Sequence, residues 1–209
     1  MIDGPVRQAI DTVLFRPVGV HELALIWDTG VREFPPRLPH QPVFYPVVNV
    51  EYARQIARDW NTKGAKSGFA GYVTSFRVDS EYLSSFEVHI VGSSEHAEYW
   101  IPAESLASFN DAIRGGINVV EGFFGAGFKG QAPERSSWVG LDAVDQFLAL
   151  SKMQKEDSVN KKRQLSDNRK GIFLNRLFWA QHDFSYLGID DARRNGLLED
   201  IQTLLGSGN

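Results

Sequence analysis

The chain reads as an α+β protein, a twisted mixed β-sheet body with short helices followed by a C-terminal helical extension. Three observations predict this. Short β-branched and aromatic runs, punctuated by Gly and Pro, recur up to residue 125. Segments with helical apolar spacing interrupt them. Beyond residue 137 the apolar period is helical throughout. The expected organisation is an α+β body over residues 1–125, a linker over 126–137 and a helical extension over 138–209.

"TVLFRPVG" is a strand that Pro17 and Gly19 stop. "HELALIWDTG" sets Leu23, Ile26 and Trp27 at helical spacing and ends on Gly30, a suitable C-cap. Prolines at 35, 36, 39 and 42 remove amide donors and hold "REFPPRLPHQP" as a stiff loop. "VFYPVVN" is the second strand, where Pro46 points to an edge or a bulge. "VEYARQIARDW" gathers Val50, Ala53, Ile56, Ala57 and Trp60 on one helical face behind Asn49, an N-cap. "GFAGYVTSFRVD" and "FEVHIVG" are strands joined by a helical turn at "SEYLSSF", and "EYWI" is a short fifth strand. Pro102 opens a helix with Leu106, Phe109 and Ile113 on its apolar face, and "INVVEGFF" is the sixth strand. The glycine-rich "GAGFKGQAPERSS" is the linker. Leu141, Val144, Phe147 and Leu148 mark the next helix. "KMQKEDSVNKKRQLSDNRK" is a polar connection, and "GIFLNRLFWAQHDFSYLG" and "DARRNGLLEDIQTLLG" are two more helices.

Composition removes several classes of chemistry. Without cysteine there are no disulfides, thiolate metal sites or cysteine nucleophiles. The five histidines form no i, i+4 pair and no zincin pattern, so no metal site is expected. A Gly-x-Ser-x-Gly elbow and a phosphate loop are both absent. "MIDGPVRQAIDTVLFRPVG", with acidic Asp3, lacks the basic start and apolar core of a leader, and no run reaches the roughly 18 apolar residues of a membrane helix. A cytoplasmic protein is expected. Residues 1–150 carry 12 Lys and Arg against 18 Asp and Glu, giving −6, whereas residues 151–209 carry 10 against 8, giving +2. An acidic body argues against general nucleic-acid binding, whose affinity depends on a basic face.

What remains is a distributed set: Arg16 in the first strand, Tyr45 in the second, and Glu95 or Glu98 before the fifth. The segments "LFRPVGVHELALI", "FPPRLPHQPVFYPVVNVEYARQIARDWN" and "HAEYWIPAESLASFN" resemble a group of small bacterial proteins that carry the name ADP-ribosylation/crystallin J1. The all-helical ADP-ribosylglycohydrolases which that name evokes use Asp-rich magnesium motifs that this chain lacks. The order of elements instead resembles the ADP-ribosyltransferase fold. That resemblance implies an arginine or histidine in the first strand gripping NAD, a serine or tyrosine on the second lining the nicotinamide pocket, and a glutamate before the fifth stabilising the transition state. By position these are Arg16, Tyr45 and Glu98. Apart from the resemblance, Arg37 and His40 of the proline-rich loop are either candidates to close over a ligand or plain exposed loop charges. The implied activity is NAD-dependent cleavage of the nicotinamide–ribose bond, with NAD as substrate and a protein as one candidate acceptor of ADP-ribose. Two departures stand: there is no Ser-Thr-Ser on the second strand, and Glu95 and Glu98 are three apart instead of forming Glu-x-Glu.

The chemistry is intelligible in those residues. Breaking the glycosidic bond builds positive charge on the ribose, which a carboxylate stabilises in the transition state more than in the ground state. A guanidinium fork suits a diphosphate, and an aromatic ring suits nicotinamide. The alternative is a non-catalytic protein-binding module, of the immunity or adaptor kind, on the same fold. Each residue also has a plainer reading: Arg16 points to solvent or pairs with an acid of the body, Tyr45 belongs to the core and Glu98 begins a solvated strand. Phe173, Phe178, Trp179, Phe184 and Tyr186 give the C-terminal helices more aromatic surface than one helix hides. They either pack within the helical unit or present a partner surface.

Overall fold

The computed structural model describes residues 10–153 and 158–206, so the acidic start at Asp3 lies outside the described residues. The chain divides into two compact units, Met1–Gly122 and Phe123–Asn209. The first is α+β and the second helical.

The first unit contains β1 (Asp11–Val18), α1 (Val20–Asp28), β2 (Val43–Phe44), α2 (Val50–Asp59), β3 (Ala70–Asp79), α3 (Ser80–Leu83), β4 (Val88–Ile90), β5 (Ala97–Tyr99), β6 (Ile101–Pro102) and α4 (Leu106–Asp111). β7 (Ile113–Phe124) follows. β3 lies between β1 and β7, and β1 pairs with β3 from Asp11 opposite Asp79 to Val18 opposite Tyr72. Val47 extends the arrangement on the other side of β1. It exchanges backbone hydrogen bonds with Phe15 at 2.9 and 2.7 Å and stands opposite Glu98 of β5, which in turn pairs with β4. The sequence predicts a mixed sheet, but the β1–β3, β2–β6 and β4–β5 ladders are antiparallel. The six residues between β4 and β5 are too few for the crossover that parallel pairing needs.

Alternation along β1 and β3 gives the sheet two different faces. Leu14, Arg16 and Val18 share one with Tyr72, Thr74, Phe76 and Val78. Here Phe34 meets Phe44 and Phe76, each at 4.9 Å between ring centroids, and Phe44 meets Phe109 at 5.3 Å. The opposite face carries Phe15, Val73 and Gly71, and α2 packs on it. A Cβ on Gly71 would run into the Ala57 backbone, so only glycine lets this helix approach so closely. Asn49 caps α2 as expected, its Oδ1 accepting from the Glu51 amide at 2.8 Å.

Several boundaries differ from the sequence pattern: of "VFYPVVN" only Val43–Phe44 forms β2, and of "FEVHIVG" only Val88–Ile90 forms β4. "EYWI" is broken at Trp100 into β5 and β6. Ile113 opens β7 instead of completing the preceding helix, because the Ala112 carbonyl already accepts from Asp79 of β3 at 3.1 Å.

The second unit holds α5 (Ala143–Lys152), α6 (Ser158–Asp167), α7 (Arg169–Gln181) and α8 (Asp191–Gly206) around Trp138, Phe147, Leu165, Ile172, Trp179 and Phe184. Residues 126–137, expected to be a linker, belong to this unit. The Asn175 amide holds them by accepting from Gln131 N at 3.0 Å and donating to Gln131 O at 2.7 Å, while Phe128 is buried against Phe124 and Phe178. The expected polar connection contains α6, with Leu165 buried on it; its residues 154–157 lie outside the described residues. No helix of the described residues is long and apolar enough to cross a membrane.

Candidate functional site

Arg16 emerges from β1 beneath the aromatic face. Its Nε donates to Glu22 Oε1 at 2.9 Å and its Nη2 to Glu22 Oε2 at 3.3 Å, the two-pronged geometry that suits guanidinium and carboxylate. Its Nη1 donates to the Tyr45 carbonyl at 3.2 Å, and its guanidinium carbon lies 4.5 Å from the centroid of the Phe44 ring. The side chain is 9% exposed, so this cation is held by the chain itself. Arg37 lies near it and donates from Nε to the Val43 carbonyl at 3.2 Å. Burial, and then the neighbouring Arg16 charge, pull the Arg37 pKa below the usual arginine value, with Glu22 and Tyr45 opposing them. His40 is exposed in the proline-rich loop.

Glu98 is buried in β5 beside a different set of side chains. Trp100 Nε1 donates to Glu98 Oε1 at 2.8 Å. The Trp100 ring stacks on His89 of β4 at 4.3 Å and meets Tyr45 edge-on at 5.9 Å. Tyr52 of α2 stacks on His96 at 4.1 Å, and burial followed by the Glu98 charge push its hydroxyl pKa upward.

Register decides which of these residues can meet. Residues directly opposite in neighbouring strands share a face, so Phe15, Val47 and Glu98 lie on one side of the sheet. Arg16 follows Phe15 and therefore points to the other side, where Phe44 receives it. The structure gathers Arg16, Arg37 and the Tyr45 carbonyl, gathers the Tyr45 ring with Trp100 and Glu98, and leaves the Arg16 and Glu98 side chains on opposite faces. Sequence reasoning missed Glu22, His89, Trp100 and Tyr52. One signal was present for Trp100: it stands two residues beyond Glu98, the spacing that puts both on one face of an extended segment.

No family model matches this chain, and no curated protein matches it. Its chemistry is then a matter of the side chains themselves. A cavity of about 480 Å³ lies between the loop at Gly30 to Glu33 and the start of β7, where the Asn110 carboxamide and the Val31 carbonyl are committed to the fold and the charged side chains at the rim are the exposed Arg32 and Glu33. Asn110 accepts from Phe34 N and donates to Phe34 O, both at 3.0 Å, while the Val31 carbonyl accepts from Ile117 N at 2.8 Å. Val31 adopts φ +62°, a costly conformation for a β-branched residue, held by the Ile117 bond to its carbonyl and by its own amide donating to Ile26 O at 3.0 Å.

In the second unit the aromatic residues are largely consumed within its own core. Trp179 and Phe184 are buried, Phe178 packs on Phe124 and Phe128, and Tyr186 is left at 66% exposure.

Proposed function

We propose that the first unit is a non-catalytic protein-binding module. The observation that carries this is the separation of Arg16 from Glu98. Each is committed to a partner in the chain, on opposite faces of the sheet. Glycosidic cleavage needs the diphosphate anchor and the carboxylate on one bound molecule within near-attack geometry. What this part of the sheet offers is contact surface. Tyr45 and Trp100 meet edge-on on the Glu98 side, Val48, Val88 and Ile90 alternate to the other side, and with Val91 all are between 37% and 65% exposed. Exposed Trp and Tyr beside a polar rim are the residues that anchor protein interfaces. Selection of a displayed random-peptide library on the purified protein tests the reading. A shared motif is expected on wild type and lost on Trp100→Ala, and an absence of any enriched motif on wild type overturns it.

A second reading, cleavage of NAD with Glu98 as the catalytic group, draws on one observation. Arg16 and Arg37 together outnumber Glu22, leaving an excess of positive charge near Tyr45 that suits a diphosphate. Incubation with NAD labelled in its nicotinamide separates the two. We expect no release above protein-free buffer from wild type or Glu98→Gln. Release by wild type that Glu98→Gln abolishes would establish the enzyme and sink the binding module.

A further inference from the structure

We infer that the free edge of β4 receives an extended peptide in which apolar residues alternate with Lys or Arg, added to the sheet as one more strand. This rests on the binding reading above and names the partner's chemistry.

Backbone direction makes β4 a docking edge. The carbonyl of Ala97 and the amide of Tyr99 turn toward residues 46–48, accepting from Val48 N at 3.0 Å and donating to Pro46 O at 2.9 Å. Glu98 therefore faces β4, and its partner His89 spends its own amide and carbonyl on that ladder. Val91 N, donating to His96 O at 3.0 Å, keeps the same alternation. The amides and carbonyls of Val88 and Ile90 consequently point away from β5, and no described residue takes them. Their side chains are 47% and 65% exposed. Unpaired backbone groups at strand spacing beside exposed aliphatic side chains are the surface to which an extended peptide adds.

Charge specifies the peptide. Residues 78–113 contain seven Asp and Glu and not one Lys or Arg. Arg114 neutralises Asp79, and the Trp100 N–H occupies Glu98. Glu81, Glu87, Glu95 and Glu104 have no ion-pair partner among the described residues. Glu87 directly precedes β4, and Glu95 lies in the turn that follows it. A second copy of this chain docked edge to edge would bring an equally acidic edge and no cation to answer Glu87 or Glu95. A strand with apolar residues opposite Val88 and Ile90 and a cation opposite Glu87 answers both the aliphatic and the acidic features.

The probe is a fluorescently labelled, end-capped peptide of alternating Val and Lys, measured by anisotropy against its Val and Glu counterpart. The Val and Lys peptide is expected to bind, more weakly as salt rises, and the acidic peptide is not. Ile90→Pro removes an outward amide that the β4–β5 ladder does not use, and is expected to weaken binding about tenfold. Glu87→Lys should weaken it and reduce its salt dependence. N-methylation of the probe supplies a test that leaves the protein unchanged. Methyl groups on alternate amides abolish binding in the register facing β4 and spare it in the other. Failure of the Val and Lys peptide to bind, equal binding of the acidic peptide, wild-type affinity in Ile90→Pro with both methylated registers binding alike, or a β4-edge dimer in sedimentation overturns the inference. A library motif that is lost on Trp100→Ala but kept on Ile90→Pro removes the edge while leaving the binding module in place.

Discussion

Arg16 is the residue whose surroundings depart furthest from the role that its position in the first strand implied. A guanidinium at 9% exposure, forked onto Glu22 and lying over Phe44, behaves as part of the fold. Breaking such a pair from one side leaves a charge with little water to receive it. Glu22→Gln is therefore expected to destabilise the protein by about 2 kcal/mol, allowing for the partial exposure of Glu22, and a urea titration will read it as a lower midpoint at unchanged slope. An unchanged midpoint would show that Arg16 needs no anion. Arg16, Tyr45 and Glu98 stand out in the sequence by chemical type, yet their juxtaposition was not legible there. Period-2 alternation fixes which residues share a face within one strand, but the facing of one strand against another depends on register. Here the register passes through Val47, a residue with no mark in the sequence beyond being apolar.

Among the elements, those whose apolar residues keep one period were legible: β1, α2 and β3 all follow their patterns, and Asn49 caps α2 as its type implies. Two misreadings have separate causes. α6 buries Leu165 on an otherwise polar helix, too little for periodicity to register, and residues 126–137 are ordered by a side chain distant in sequence. Asn175 gives the Gln131 backbone both a donor and an acceptor, as a neighbouring strand would, and donates to Gln146 Oε1 at 2.7 Å. Its carboxamide is buried, so removing it orphans three polar groups at once. Asn175→Leu is expected to cost about 3 kcal/mol. Hydrogen exchange should accelerate at Gln131 before it does in α7; uniform acceleration across the second unit would instead mean that Asn175 acts only through packing.

At the scale of the molecule, charge and burial set opposite limits on the pH range of the fold. Among the described residues three carboxyls titrate below their ordinary value of 3.8: Asp59 through its hydrogen bond from Arg58, Asp79 through Arg114 and then the Tyr82 and Glu81 amides, and Asp183 through the Ser185 amide. As pH falls, the unfolded chain takes up these protons first, so their contribution is complete above 3.8 and drains away as pH drops through the folded values. Tyr72 and Tyr52 act at the other end. Burial raises both pKa values, and the Glu98 charge adds to the shift at Tyr52, so the unfolded chain loses its tyrosine protons first above 10.0. Stability held below that value is lost as pH climbs toward the folded pKa values. Thermal midpoints measured against pH should therefore fall at both extremes. Asp79→Asn is expected to flatten the acid limb and Tyr72→Phe the alkaline one, each leaving the opposite limb unchanged. An acid limb in Asp79→Asn as steep as that of wild type would mean that the Arg114 pair and the two amides give Asp79 no preference for its charged form in the folded state.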